Sequence, residues 1–219
     1  GNAKLANYSE EDVNNTLRVA SDIVRKASKS EGLDGLWVPP MFNINRWWDQ
    51  AALEALASVR HEVDAYSGKE RDLLDIAFCR LLISLSSAAF NHQSMSFKNQ
   101  ESLFEYDRET FLYNVRSFLE IVSDVTSRAL ADRVLGEAKV QHGDSTRPFD
   151  GFHKADLVIT SPPYANRMSY IRELRPYMYW LRYLESGEQA GDLDWQTIGG
   201  TWGSVGTKLR ERIPDSGVP

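Results

Sequence analysis

Cysteine is nearly absent from this 219-residue chain, and its scarcity excludes two kinds of stabilisation. The single thiol, that of Cys79, permits no internal disulfide and no cysteine-based metal cage, so we predict no metal site. Because Cys79 lies in an apolar, helix-like run, we predict that it packs as a small hydrophobic side chain.

Long apolar runs and an excess of positive charge are also missing. The chain has no stretch of 18 or more apolar residues and no signal-peptide pattern, so we expect a cytoplasmic protein with no membrane partner. The formal net charge is −6 and the isoelectric point is near 5.3, so the chain as a whole lacks the basic character of a nucleic-acid binder. Any contact with DNA therefore has to come from a local patch.

The first 135 residues have the periodicity of packed helices and contain no convincing strand. Ser9 and Asp12 are spaced as in a capping box, and apolar residues follow them at intervals of three and four. The same periodicity predicts further helices over about residues 49–66, 70–90 and 107–135. We therefore predict a helical layer over residues 1–135.

Aromatic residues cluster around a glycine- and proline-containing loop at residues 32–45. They are Trp37, Phe42, Trp47 and Trp48. Such rings form either a surface on which bases stack or an apolar anchor that ties a long loop onto the core. The second interpretation is the more economical one.

After Gly136 the helical pattern gives way to short β-prone runs. Residues 138–142 form a candidate strand, closed by Gly143, Asp144 and Ser145, and residues 157–160 form a second one. Short strands that follow helices are typical of α/β folds, which bind ligands at the carboxyl ends of their strands. We therefore expect an α/β segment over residues 136–219.

The second candidate strand ends abruptly at Ser161-Pro162-Pro163-Tyr164. Consecutive prolines cannot donate to a sheet, and each fixes its own backbone, so the loop is stiff. The Ser161 hydroxyl and the carbonyls before the prolines can accept hydrogen bonds, and the Tyr164 ring can stack on a flat base. These features suit a planar ring that carries an amino group. The alternative is a plain surface turn or a polyproline ligand.

The sequence from Thr160 to Tyr164 resembles the catalytic motif of S-adenosylmethionine-dependent DNA amino-methyltransferases. That family methylates cytosine N4 or adenine N6. In the resemblance, a serine at the position of Ser161 favours cytosine, whereas an aspartate there would favour adenine. The resemblance implies a Rossmann-like α/β fold, S-adenosylmethionine as cofactor and DNA as partner. It also implies a catalytic role for Ser161, Pro162, Pro163 and Tyr164, and contact of Asp144, Ser145 and Thr160 with the cofactor. A residue-level alternative is that Asp144 caps the segment that follows.

A local excess of arginine follows this loop. Between residues 167 and 184 there are four arginines and one glutamate, interleaved with aromatic residues at helical spacing. We predict a helix here, with a kink or a fresh start at Pro176. Arg167, Arg172 and Arg175 are the predicted phosphate contacts. The alternative is that these arginines pair with acidic residues of the helical layer.

One element of the family is missing from the sequence. The resemblance calls for a strand followed by a glycine-rich cofactor loop, and no such pattern occurs in the chain. We therefore expect a partial methyltransferase fold with a large helical part, whose complementary portion lies on another polypeptide segment. Residues from Ser186 onward read as a glycine-rich loop.

The predicted function is thus methyl transfer from S-adenosylmethionine to cytosine N4, or to adenine N6, in DNA. In that reaction the base is flipped out of the duplex. RNA and protein-glutamine amines are further possible acceptors, because related loops also serve them. A different class remains open, namely an inactive homologue that binds a partner through its helical layer.

Overall fold

The computed structural model describes residues 2–89, 96–97, 106–132, 135–143, 155–160 and 170–196. Its helices are α1 (Asn2–Leu5), α2 (Glu10–Ala27), α3 (Ile44–Trp47), α4 (Gln50–Val63), α5 (Gly68–Ser84), α6 (Arg108–Ala131), α7 (Tyr170–Trp180) and α8 (Gly187–Gln196). Two short strands, β1 (Ala88–Ala89) and β2 (Ser96–Phe97), pair in antiparallel fashion. The chain divides into two compact units, residues 1–139 with 176–187, and residues 140–175 with 188–219.

The first unit, called the helical unit below, is a bundle in which α2, α4, α5 and α6 all contact one another. Its core contains fully buried side chains from each of these helices, such as Ile23, Leu56, Phe78 and Phe118. Residues 51–60 of α4 are all buried, which identifies α4 as the most enclosed helix of the bundle. Burial of apolar faces, rather than helix propensity alone, stabilises such a bundle.

Local sequence signals explain where three of these helices begin. The predicted capping box is confirmed, since the Ser9 hydroxyl accepts from the Asp12 N–H and the Asp12 carboxylate accepts from the Ser9 N–H. Asp49 caps α4 through the Ala52 N–H, and Asp107 caps α6 through the N–H groups of Glu109 and Thr110. Each side chain satisfies backbone donors that have no partner inside the helix.

The predicted α/β fold is wrong for the described residues. Residues 138–142 and 157–160 form no strand and are exposed, and the described residues contain no parallel sheet. A strand needs a hydrogen-bonded neighbour, and no described segment lies alongside either run to provide one. The one paired ladder among the described residues is the two-residue pair of β1 and β2.

Three smaller expectations also need correction. Helix α5 ends at Ser84, whereas its periodicity predicted helix to about residue 90. Pro176 lies inside a single continuous helix, α7, so of the two alternatives predicted there, a kink or a fresh start, the fresh start is wrong. Residues 187–196 form α8, although the glycine content of this stretch predicted a loop. The predicted boundary after residue 135 remains a prediction.

None of the helices in the described part of the chain is long and apolar enough to span a membrane.

Candidate functional site

Most of the predicted site residues lie outside the described residues. These are Asp144, Ser145, Ser161, Pro162, Pro163, Tyr164 and Arg167. Thr160 is described and exposed, Arg172 is described only as part of α7, and Arg175 is half-buried with its Nε buried and unbonded. The assignment of these residues to catalysis, cofactor and DNA therefore remains a prediction. The structure does define the chain on both sides of the loop at residues 161–164.

On the amino-terminal side, the loop is preceded by an exposed apolar run. Leu157, Val158 and Ile159 are 75%, 78% and 88% exposed. Single exposed apolar side chains are common on protein surfaces, but three in succession form a small patch. The residues leading into the predicted catalytic loop thus present apolar side chains to solvent.

On the carboxyl-terminal side, α7 ends in a tight, well-bonded turn. The Tyr183 N–H donates to the Met178 carbonyl at 2.7 Å, and the Arg182 N–H donates to the Tyr179 carbonyl at 2.9 Å. This pattern is a Schellman motif, whose left-handed position glycine usually occupies. Here Arg182 occupies it with φ of 61°, a conformation that costs an L-residue about 1–2 kcal/mol. Its side-chain contacts have to offset that cost.

The side chain of Arg182 makes two such contacts within the helical unit. Its Nη2 lies 2.8 Å from the Asp64 Oδ2, and its guanidinium carbon lies 4.5 Å from the centre of the Trp37 ring. An ion pair and a cation–π contact therefore hold the turn after α7. Arg182 thus pairs with an acid of the helical layer. The same pairing, as the alternative for Arg167, Arg172 and Arg175, remains a prediction.

Asp64 belongs to a larger charge cluster formed by Arg60, Asp64, Arg71, Asp75 and Arg182. Arg60 has a side chain only 2% exposed; its Nε donates to Asp64 at 3.0 Å and its Nη1 to Asp75 at 2.7 Å. Arg71 bonds the same two carboxylates at 3.0 and 2.9 Å. The two aspartates thus form ion pairs with three arginines, and these ion pairs link α4, α5 and the turn after α7. The acid–base spacing of four residues, present twice, was a sequence signal for this cluster.

Trp180, the last residue of α7, lies at the centre of an aromatic cluster. Its ring is fully buried, and its centre lies 6.0 Å from that of Trp37, 5.9 Å from that of Trp48 and 5.7 Å from that of Phe78. All three pairs are edge-to-face, the arrangement that aromatic rings favour. The Nε1 of Trp48 donates to the Leu82 carbonyl at 2.9 Å, whereas that of Trp180 is buried without a hydrogen-bond partner.

This cluster bears on whether the aromatic residues around the loop at residues 32–45 anchor the loop or form a stacking surface. Trp47 and Trp48 are buried, and Trp37 contacts Trp180, so these rings tie the loop to the core as expected. Phe42 is 88% exposed and takes no part in that anchor. Trp180, to which no motif in the sequence points, is the ring that the others surround.

Cys79 follows the buried Phe78 in α5 and is half-buried. Burial, followed by the nearby Asp75 carboxylate, raises the pKa of its thiol to about 12. A thiol with so high a pKa is protonated at neutral pH and is a poor nucleophile. The prediction that Cys79 packs as a small hydrophobic side chain agrees with this environment.

The described residues contain no group of three or more histidine, cysteine, aspartate or glutamate side chains placed to hold a metal ion. Thr160 is exposed and lines neither of the two cavities at α4 that involve Gly32.

Comparisons of the chain with protein-family models, curated proteins and solved structures find no match.

Proposed function

We propose that this chain handles the target amine in a DNA methyltransferase that modifies cytosine N4 or, as second choice, adenine N6. The observation that carries the proposal is the Ser161-Pro162-Pro163-Tyr164 sequence, six residues before a helix whose carboxyl end is anchored in the helical unit. Trp180 and Arg182 provide that anchor through buried rings and an ion pair.

The loop's own groups can do the binding and orientation that this reaction needs. The Ser161 hydroxyl and the carbonyls of Ser161 and Pro162 would accept hydrogen bonds from the exocyclic NH2, which fixes the direction of the nitrogen lone pair. The Tyr164 ring would stack on the flipped base, an interaction worth roughly 1–3 kcal/mol. Orientation of this kind lowers a barrier by removing the entropy of a chance encounter. The amine can lose its proton to water after transfer.

S-adenosylmethionine, when bound, supplies the methyl group. Because the sequence contains no glycine-rich cofactor loop, we assign its binding to a complementary polypeptide together with Asp144, Ser145 and Thr160 of this chain. The exposed run of Leu157, Val158 and Ile159 is a surface that such a polypeptide could cover. The proposal places the protein in the cytoplasm, with DNA and cofactor.

Binding to DNA tests the assignment of the loop. We expect a duplex with a mismatched cytosine to bind more tightly than a matched one, because a mismatched base flips at lower cost. Tyr164→Ala should weaken binding to the mismatched duplex about tenfold or more, whereas Tyr113→Ala, which removes an exposed tyrosine of α6, should not. Equal affinity of wild type and Tyr164→Ala would remove the stacking role from the proposal.

The predicted phosphate contacts of Arg172 and Arg175 can be tested separately. Replacement of Arg172 and Arg175 by alanine should weaken binding to all DNA sequences alike. It should also reduce the slope of log K against log salt by about 1 for each lost contact. An unchanged slope would assign these arginines to the protein interior.

A second candidate function is an interaction module without catalysis. The same exposed run favours it, because three consecutive apolar side chains form a contact surface that needs no cofactor. Calorimetric titration with S-adenosylmethionine, with the chain kept bound to any polypeptide that copurifies, distinguishes the two. Heat of binding favours the methyltransferase, and its absence favours the module.

A further inference from the structure

A cavity of about 590 Å³ lies in the helical unit, away from the charge and aromatic clusters. Its lining residues are Glu31, Gly32, Gln50, Glu54, Tyr106 and Arg108. The volume falls within the range of roughly 300–1,000 Å³ that small-molecule sites occupy. Thr160, a predicted cofactor contact that the structure describes, does not line this cavity, and a role for the cavity does not depend on the proposed function.

One wall of the cavity is held in place by a buried carboxylate. Glu54 on α4 has a side chain only 1% exposed, and its Oε1 accepts from the Gly32 N–H at 2.8 Å. Gly32 has φ of 110°, which side-chain-bearing residues rarely adopt, and its carbonyl accepts from the Ser30 hydroxyl at 3.0 Å. The loop that forms this wall is therefore fixed by specific bonds.

A second fixed group is Arg108, at the start of α6. Its guanidinium donates to the carbonyls of Ser28, at 2.7 Å, and Ser30, and lies 4.4 Å from the centre of the Phe111 ring. Its Nη1 is also 3.7 Å from the Glu54 Oε1. Because these contacts engage the guanidinium, Arg108 is poorly placed to attract an anion into the cavity.

Three other lining groups remain free to meet a ligand. Glu31, Gln50 and Tyr106 make no hydrogen bond or ion pair in the described part of the chain. They present a carboxylate, a carboxamide and a phenol ring with its hydroxyl. With Glu54 and Arg108 paired to each other, the unpaired charge on the lining is the negative one of Glu31.

From this arrangement we infer that the cavity binds a guanidinium group. A guanidinium is planar, carries five N–H donors in a fixed fork and stacks on aromatic rings. In the inferred complex the fork would pair with the Glu31 carboxylate, the Gln50 oxygen would accept a further N–H, and the plane would stack on the Tyr106 ring. Both a free guanidino compound and an arginine side chain of a peptide carry this group.

Calorimetric titration of the full chain with defined probes tests the inference. Agmatine represents the free compound, and N-acetyl-arginine amide represents the peptide side chain. N-acetyl-citrulline amide has the same shape without the charge, so it should bind at least about tenfold more weakly than its arginine counterpart. The stronger of the two guanidinium probes indicates the source of the ligand.

Variants locate the binding in this cavity. Glu31→Gln should weaken binding about tenfold, because it removes the one unpaired charge while keeping the size of the side chain. Glu120→Gln, an exposed glutamate of α6 outside the cavity, is the matched control and should bind as wild type does. The inference fails if neither guanidinium probe binds, if citrulline binds equally well, or if Glu31→Gln leaves the affinity unchanged.

Discussion

Two apolar stretches of this chain, α6 and residues 157–160, have opposite structural outcomes. In α6, the side chains of Phe111, Val115, Phe118 and Val122 are fully buried. At residues 157–159, Leu157, Val158 and Ile159 are 75–88% exposed. Both stretches are rich in apolar residues, so hydrophobicity alone does not account for the difference.

The difference lies in where each backbone finds its hydrogen bonds. A helix bonds its own N–H and C=O groups, so an amphipathic period and a cap such as Asp107 are enough to define it before it packs. A strand has its partners on a neighbouring chain segment, and the described residues supply none for residues 157–160. A helix can therefore be predicted from its own residues, whereas a strand can be predicted only together with the segment that pairs with it.

Replacing Trp180 by alanine should have the largest effect on stability, because Trp180 is buried in the helical unit. Loss of this fully buried ring should lower the free energy of unfolding by about 3–5 kcal/mol. Ile159→Ala, at an 88% exposed position, should change it by less than about 0.5 kcal/mol. Urea denaturation followed by circular dichroism measures both, and similar losses would mean that Ile159 is buried in solution.

Replacing Arg60 by alanine should cost about 3 kcal/mol, because Asp64 and Asp75 lose a buried partner. Lys139→Ala, in the exposed run after α6, is the control and should be nearly neutral. The same denaturation experiment applies. A loss below about 1 kcal/mol for Arg60→Ala would show that the remaining arginines satisfy both aspartates.

Arg182 separates backbone strain from side-chain contacts. Arg182→Gly and Arg182→Ala both remove the contacts with Asp64 and Trp37, but only glycine relieves the left-handed backbone. The glycine variant should therefore be about 1 kcal/mol more stable than the alanine variant. Equal thermal stability of the two variants would contradict a left-handed conformation at this position.

The smallest effect concerns the pH dependence of the cap on α2. The Ser9 N–H and then the Lys69 ammonium lower the pKa of Asp12 from its ordinary 3.8 to about 2. Since the folded pKa is the lower one, the contribution to stability is present above about pH 4 and is lost as the pH falls toward 2. The difference in thermal midpoint between wild type and Asp12→Asn should narrow over that interval; a constant difference would contradict it.

The helical half of the fold was predictable to a useful degree from sequence. Ser9, Asp49 and Asp107 mark helix starts because their side chains act locally. The end of α5 at Ser84 and the helix over residues 187–196 were missed, because packing overrides local preference at such places. For the charge cluster, the only indication in the sequence was the four-residue spacing between its arginines and aspartates.

The sheet was predicted wrongly for a physical reason. The residues from Leu157 to Thr160 have the composition of a strand, and composition reports suitability for a sheet rather than the presence of a neighbour. The cavity residues Glu31, Glu54 and Tyr106 come from distant parts of the chain and share no motif, so sequence gave no hint of them. The catalytic assignment depends on a resemblance in five residues and the arginines after them.

The measurement that tests the central claim most directly is methyl transfer by the chain, isolated from its own cells with any bound polypeptide retained. Labelled S-adenosylmethionine and DNA are supplied, and the methylated base is identified by mass spectrometry. We predict N4-methylcytosine, or N6-methyladenine as second choice, with wild type and with the Ser127→Ala control, an exposed serine of α6. Ser161→Ala should yield neither base, because it loses the acceptor that orients the amine. No methylated base with wild type, or an equal yield with Ser161→Ala, would contradict the assigned role of the loop.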